Sequence, residues 1–324
     1  MDYLQSCLHA YFAHTRWRPR RQYAALLHES RALLDFATPA GFAFALAKPV
    51  TTSLHATYTL GLPATGAVGF LFTSVPLPDT APVLADQAMR VVHDVDDDRV
   101  VGSYLLYGRL FRDARLEYLT ARRLSPRTLL TVSGASSWRP GASFVNYVVS
   151  TNRANGGHEF CFASHDAVFG FRWLQQLSSR IDVGGELYYL ANEVSGGLSF
   201  GAKYRGTADT ATLTLNPIMG HVAATYSSHI TRGLSAGCRY DYNIHSFESD
   251  LAVGVAFRRD APNDEDEVGV DGAGTWLRVR YGIARGLALV YQQQWHALHV
   301  RLGLLASGAQ NAIGIEASYC IERW

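Results

Sequence analysis

From about residue 41 to its last residue the chain repeats one pattern, roughly ten alternating apolar and polar residues followed by a turn signal. In one copy Leu54, Ala56, Tyr58 and Leu60 share a face, while His55, Thr57 and Thr59 take the other. In another, Leu198, Phe200, Ala202 and Tyr204 oppose Ser199, Lys203 and Arg205. Near the end, Leu298, Val300, Leu302 and Leu304 oppose His299 and Arg301. Side chains on a strand alternate between faces, so each run predicts a strand with one apolar and one wet face. Such runs recur from Gly41–Lys48 and Ser53–Gly61, through Arg99–Leu110, Asp113–Arg122, Val194–Arg205 and Phe247–Arg258, to Leu298–Ala306 and Asn311–Ile321. Roughly nineteen fit by hand, and many are longer than the 5–6 residues usual in soluble domains.

Alternation alone does not say which face points inward, because a soluble sandwich alternates too. Charge discriminates. The polar faces carry Arg115, Glu117, Arg172, Asp182, Glu186, Lys203, Arg205, Arg258, Arg278, Arg280, Arg301 and Glu316, whereas the apolar faces are almost free of charge at strand centres. Tyr104, Tyr107, Tyr118, Tyr204, Tyr226, Trp276 and Trp295 recur near strand ends, where aromatic girdles would meet the two membrane interfaces. In lipid every backbone group must be bonded within the protein, so the sheet has to close on itself. The expectation is an all-β transmembrane barrel of about 19 strands over residues 41–324, with Arg172, Lys203, Arg205, Arg278, Arg280, Arg301 and Glu316 facing the lumen. An odd strand number would bring the first and last strands together in parallel.

Residues 1–40 differ. Tyr3, Leu4, Cys7, Leu8, Tyr11 and Phe12 recur at helical spacing, Pro19 interrupts within Arg16–Arg21, and a second stripe runs through Tyr23, Leu26, Leu27, Leu33 and Leu34. This is a basic, amphipathic, helical leader. Asp2, Glu29 and Asp35 argue against a cleavable presequence, since those are poor in acids. Whether the leader stays outside or threads the lumen is open at this level.

The net charge of +1 conceals an uneven distribution. Within two long loops, near 76–98 and 259–273, the stretches Asp94–Asp98 and Asp260–Asp271 alone hold 10 of the 28 acids and no base, which leaves the remainder at +11 (29 − 18). Neither run has the register of a calcium loop, and both read as solvated tips. No 18-residue apolar window exists for a helical span, which does not bear on a barrel. Cys7, Cys161, Cys238 and Cys320 are too scattered to form a metal-ligand set. Gly197-Leu198-Ser199-Phe200-Gly201 and Gly233-Leu234-Ser235-Ala236-Gly237 match a nucleophile elbow in letters but lie in strand-like stretches rather than at a strand–turn–helix corner. No enzyme, cofactor, metal site or nucleic-acid partner is expected.

The segment Ser30-Arg31-Ala32-Leu33-Leu34-Asp35-Phe36-Ala37-Thr38-Pro39-Ala40-Gly41 and the later Thr57-Tyr58-Thr59-Leu60-Gly61 resemble the start of a fungal family, mitochondrial distribution and morphology protein 10. The end, Gly314-Ile315-Glu316-Ala317-Ser318-Tyr319, is similar to a mitochondrial β-signal, with Gly314 and Tyr319 fitting well, Ala317 a weak first hydrophobic, and Ala312 in place of the polar residue. The resemblance implies a non-enzymatic barrel in the mitochondrial outer membrane with two roles. One is membrane anchor of the endoplasmic reticulum–mitochondria encounter structure, a tether linked to lipid exchange and mitochondrial shape. The other is subunit of the sorting and assembly machinery, beside that machinery's own barrel and its cytosolic-face subunits. Partners would then be the lipid bilayer and the subunits of both assemblies. Tyr58, Phe70 and Phe72, facing outward near the N-terminal edge, are candidate contacts for a neighbouring barrel, with lipid contact the plainer role; Gly314, Ala317 and Tyr319 are the candidate insertion signal. The alternative with the same fold is a voltage-dependent anion channel-type porin, since an excess of lumen-facing arginine suits anions.

Overall fold

The computed structural model describes residues 3–62, 65–75, 77, 101–138, 143–259, 275–295, 297–308 and 311–321; the acidic runs within 76–98 and 259–273 lie almost wholly outside them. Nineteen strands carry the alternating runs. The first six are β1 (Gly41–Pro49), β2 (Leu54–Leu62), β3 (Thr65–Thr73), β4 (Tyr104–Phe111), β5 (Leu116–Ser125) and β6 (Thr128–Ser136). Next come β7 (Phe144–Arg153), β8 (Gly156–Ala163), β9 (Val168–Ser178), β10 (Ile181–Leu190), β11 (Ser195–Arg205), β12 (Asp209–Asn216) and β13 (His221–Thr231). The set ends with β14 (Leu234–Asn243), β15 (Ser249–Arg258), β16 (Trp276–Gly282), β17 (Gly286–Trp295), β18 (Leu298–Ala306) and β19 (Asn311–Cys320).

Each strand pairs antiparallel with its sequence neighbours, and the sheet closes through a parallel β1–β19 ladder running from Gly41↔Gly314 to Ala47↔Cys320. Closure removes the two edges that an open sheet would expose to lipid. The parallel seam follows from parity. After eighteen antiparallel steps the last of the nineteen strands runs the same way as the first, so β1 starts at one rim (the proximal rim) and both β1 and β19 end at the other (the distal rim).

Several runs start later than the alternation predicts. Arg99–Leu110 yields a strand only from Tyr104, after a turn with Gly102 at φ +85°. Asp113–Arg122, Val194–Arg205 and Phe247–Arg258 begin at Leu116, Ser195 and Ser249, because Ala114, Val194 and Phe247 take positive φ and close proximal-rim turns. A left-handed residue closes each of these turns, and the ladder starts after it.

The outward face is apolar. Leu60, Val68, Phe70, Leu187, Leu213, Val253, Leu302 and Ile315 are exposed there. Of the expected girdle residues, Tyr104, Tyr204, Tyr226 and Trp295 project between half-buried and exposed positions, but Tyr107 and Trp276 point inward. Both lie one residue out of phase with the apolar face of their strands.

The inward core is unusual for so wide a barrel, because the leader contributes to each of its apolar clusters. Helix α1 (Tyr3–His14) packs Leu4, Cys7, Leu8, Tyr11 and Phe12 on Leu71, Leu105, Ala121 and Leu129 of β3–β6. The chain turns at the distal rim, where Trp17 lies under the Arg123 guanidinium at 4.7 Å. It returns through 3-10 turns Pro19–Arg21 and Tyr23–Leu27 and helix α2 (His28–Leu34) to the proximal rim. Along this return Leu33 and Leu34 cluster with Ala252, Ala256 and Trp276, and nearer the proximal rim Phe36 meets Ala288 and Val290. Thus both leader stripes bury their apolar faces on the lumen wall.

Candidate functional site: the filled lumen and the parallel seam

The leader is held by polar contacts spread around the wall. Tyr11 donates to the Ser103 carbonyl at 3.0 Å, and Asn152 Nδ2 of β7 donates to the Arg18 carbonyl at 3.1 Å. Arg21 donates to the Arg153 carbonyl, and Thr212 Oγ1 of β12 to the Leu26 carbonyl at 3.3 Å. Two acids of the leader form its strongest anchors. Glu29 receives Lys203 Nζ at 3.0 Å and the Ser227 hydroxyl at 3.4 Å. Asp35 is gripped on both oxygens, by Arg239 Nη1 and Arg285 Nη1, each at 2.8 Å. Burial works against the charge on both carboxyls, but Lys203 facing Glu29 and the two guanidiniums facing Asp35 outweigh it, so both are held below the ordinary carboxylate range.

The residues read as lumen-lining have two kinds of partner. Lys203 reaches Glu29, Arg280 donates to the Leu34 carbonyl at 2.7 Å, and Arg301 donates to the Ala37 carbonyl at 3.0 Å, all on the leader. Arg301 also pairs with Glu316 of the neighbouring strand at 3.0 Å. Arg172 pairs with Glu186 at 2.6 Å, Arg205 with Asp182, and Arg278 stacks on Trp276 at 5.1 Å, all within the wall. Sequence reasoning missed Arg239 and Arg285, and it used Glu29 and Asp35 only as arguments about presequences. The signal was present: acids in a basic leader, opposite a strand face rich in arginine.

A second missed signal is the glycine on polar strand faces. A Cβ on Gly314 would lie 2.4 Å from the Pro39 backbone, and one on Gly303 beside it 2.5 Å from the Pro39 ring. The leader therefore enters β1 through a slot that only glycine leaves open. This gives Gly314 a packing role at the very position read as an insertion signal. Ala317 and Tyr319 point to the outside, where Ala317 pairs with Phe44 and Tyr319 with Leu46.

Tyr58, Phe70 and Phe72 share the outer face of β2 and β3 and are 46%, 51% and 38% exposed. The Phe72 ring lies 5.9 Å from that of Tyr104, and Phe70 covers Gly108. The seam joins this patch to the C-terminal strand. Tyr319 pairs with Leu46, and Leu46 pairs with Tyr58, so the two tyrosines flank one leucine in a row across β19, β1 and β2. Two sets of residues far apart in sequence thus form one outward surface.

The elbow look-alikes are wall residues. Ser199 accepts from Asn216 at 3.2 Å, and Ser235 shares a hydrogen bond with His229 at 2.8 Å between adjacent strands. Neither serine sits at a strand–helix turn. Among the described residues no group of three or more His, Cys, Asp or Glu is placed to hold a metal.

A sequence model of the family described as mitochondrial distribution and morphology protein 10 matches residues 1–272. Curated proteins bearing that name are similar over most of the chain. One from Sclerotinia sclerotiorum is 28% identical, covering 82% of this chain and 79% of its own. One from Yarrowia lipolytica is 30% identical, covering 79% of this chain and 83% of its own. A third, from Meyerozyma guilliermondii, is 29% identical and covers 78% and 68%.

Proposed function

Because this chain belongs to the mitochondrial distribution and morphology protein 10 family, we propose that it is a non-enzymatic anchor of the mitochondrial outer membrane. It holds the endoplasmic reticulum–mitochondria encounter structure in place, supporting lipid exchange, and it serves the sorting and assembly machinery as a subunit during barrel insertion. The observation that carries this reading against a porin is the filled lumen. A barrel of nineteen strands has an interior wide enough for an aqueous channel. Here the leader crosses that interior twice and bonds to strands nearly all the way round, through Tyr11, Arg18, Glu29, Leu34, Asp35 and Ala37.

An anchor needs resistance to extraction and a surface for partners. The closed ladder and the docked leader supply the first; the patch of Tyr58, Phe70, Phe72 and Tyr319 across the seam supplies the second. Native purification of the full chain from gently solubilised mitochondria, with mass identification of bound proteins, tests the proposal. Co-purification of tether subunits or barrel-insertion subunits supports it. Recovery of the barrel alone, as an ion-conducting pore, would favour the channel.

A further inference from the structure

The outer face of β7–β10 carries a groove between two rows of side chains. One row crosses the strands through Val149, Phe160, Phe171 and Leu187, and the other through Tyr147, Phe162, Phe169 and Tyr189, each step being a ladder pair. The rings touch within each row. Phe160 and Phe171 have centroids 4.9 Å apart, Phe162 and Phe169 5.0 Å, and Tyr147 stacks on Phe162 at 6.3 Å. Cys161, Gly170 and Tyr188 lie between the rows and alternate inward, so they offer main chain as the floor. The groove has a volume of about 430 Å³, within the range of small-molecule sites.

An interfacial girdle does not account for these rings. Phe160 stands in the middle of β8 and is 61% exposed, at a depth where other strands present aliphatic residues such as Leu213 and Val253. Strands of such barrels tilt by about 35–45°, so rows across them run obliquely to the membrane. Tyr189 is the penultimate residue of β10, at the proximal rim, whereas Val149 is the sixth of β7. The groove therefore runs from the interface, where the Tyr189 phenol lies, toward the middle of the wall at Val149. Three interstrand spacings make it about 14 Å long. No residue lining it is charged.

We propose that this groove binds a membrane sterol, with the hydroxyl at the Tyr189 phenol and the fused rings between the two aromatic rows. The groove is continuous with the lipid-facing wall, so its occupant comes from the bilayer. Without a charged lining residue it has no grip on a phospholipid headgroup. An acyl chain entering a fixed groove loses chain freedom that a fused ring system has already given up. A flat, rigid body with one hydroxyl also gains dispersion contact with both rows of rings. The inference rests on the wall of β7–β10 alone and is independent of the tethering and assembly roles.

The full chain in phosphatidylcholine nanodiscs containing a photoactivatable sterol, irradiated and mapped by mass spectrometry, provides the test. Cross-links should concentrate in β7–β10 and fall at least several-fold when excess unlabelled sterol is added. Phe160→Leu/Phe171→Leu should lower this competable labelling several-fold, while Phe70→Leu/Phe72→Leu on β3 should leave it unchanged. Heat-modifiable mobility verifies that each variant is a folded barrel. Should the variant at 160 and 171 not fold, Tyr189→Phe, which keeps the ring and removes only the hydroxyl, should lower the labelling in its place. Labelling spread over the wall in proportion to exposed surface, or undiminished by unlabelled sterol, overturns the proposal, as would be seen if acyl chains or a neighbouring barrel filled the groove. Competable labelling that survives every folded groove variant overturns it equally.

Discussion

Leu302 and Arg301 are adjacent in β18 and live in different solvents. Leu302 pairs with Tyr291 and Ile315 on the exposed outer face, whereas Arg301 turns inward to Glu316 and the Ala37 carbonyl. Leu302→Arg should therefore cost about 2–4 kcal/mol where it meets mid-bilayer, measured by denaturant unfolding from lipid vesicles. Gly314 and Tyr319 separate by the same logic. Gly314→Ala places a methyl against the Pro39 backbone and should expose the leader to protease even in barrels that insert. Tyr319→Ala touches only the outer face, so it should slow insertion and leave the leader protected. If both variants gave the same defect, the two residues would not have separate roles. The outward and inward assignments were legible in the sequence, because period-2 alternation with charge confined to one face fixes them. The girdle role of Tyr107 and Trp276 was misread, since their distance from a strand end looked right while their parity did not.

At the scale of elements, the leader is the part the sequence described but did not place. Its helical stripes show that a face is buried, and periodicity cannot name what buries it. The answer lies in pairwise matches: Glu29 with Lys203, Asp35 with Arg239 and Arg285, and glycine at 303 and 314 beneath Pro39. Asp35→Asn removes the charge from two arginine contacts. Because Arg285 and Asp35 remain partly open to water, the expected loss is about 1–2 kcal/mol of leader docking, read as faster proteolysis within residues 15–40. The pH dependence has a definite sign. Both carboxyls have native pKa values below their unfolded ones, so their contribution is complete above about pH 4 and is lost as pH falls through the depressed native values. Protease protection of the leader should hold from neutral pH to about pH 4 and weaken as pH falls further. Protection that weakened instead above neutral pH would point to different anchors.

For the whole molecule, strand count, closure and occupancy of the lumen are linked. Roughly nineteen strands could be counted from turn signals alone, and the parallel seam then follows from odd parity without any further residue-level information. What parity does not reveal is that the seam lays Tyr319, Leu46 and Tyr58 in one row, because registers depend on how far each strand extends past its turn. The family shared with the fungal relatives accounts for a role in mitochondrial distribution and morphology, and the filled lumen gives that role a physical basis distinct from solute passage. The most direct test is the conductance of the full chain reconstituted in planar bilayers at neutral pH. A lumen occupied by residues 3–40 predicts current steps that are a small fraction of those of an open nineteen-strand porin, rising only when the leader is released at acid pH. Stable, porin-sized steps at neutral pH would contradict the docked leader and, with it, the scaffold.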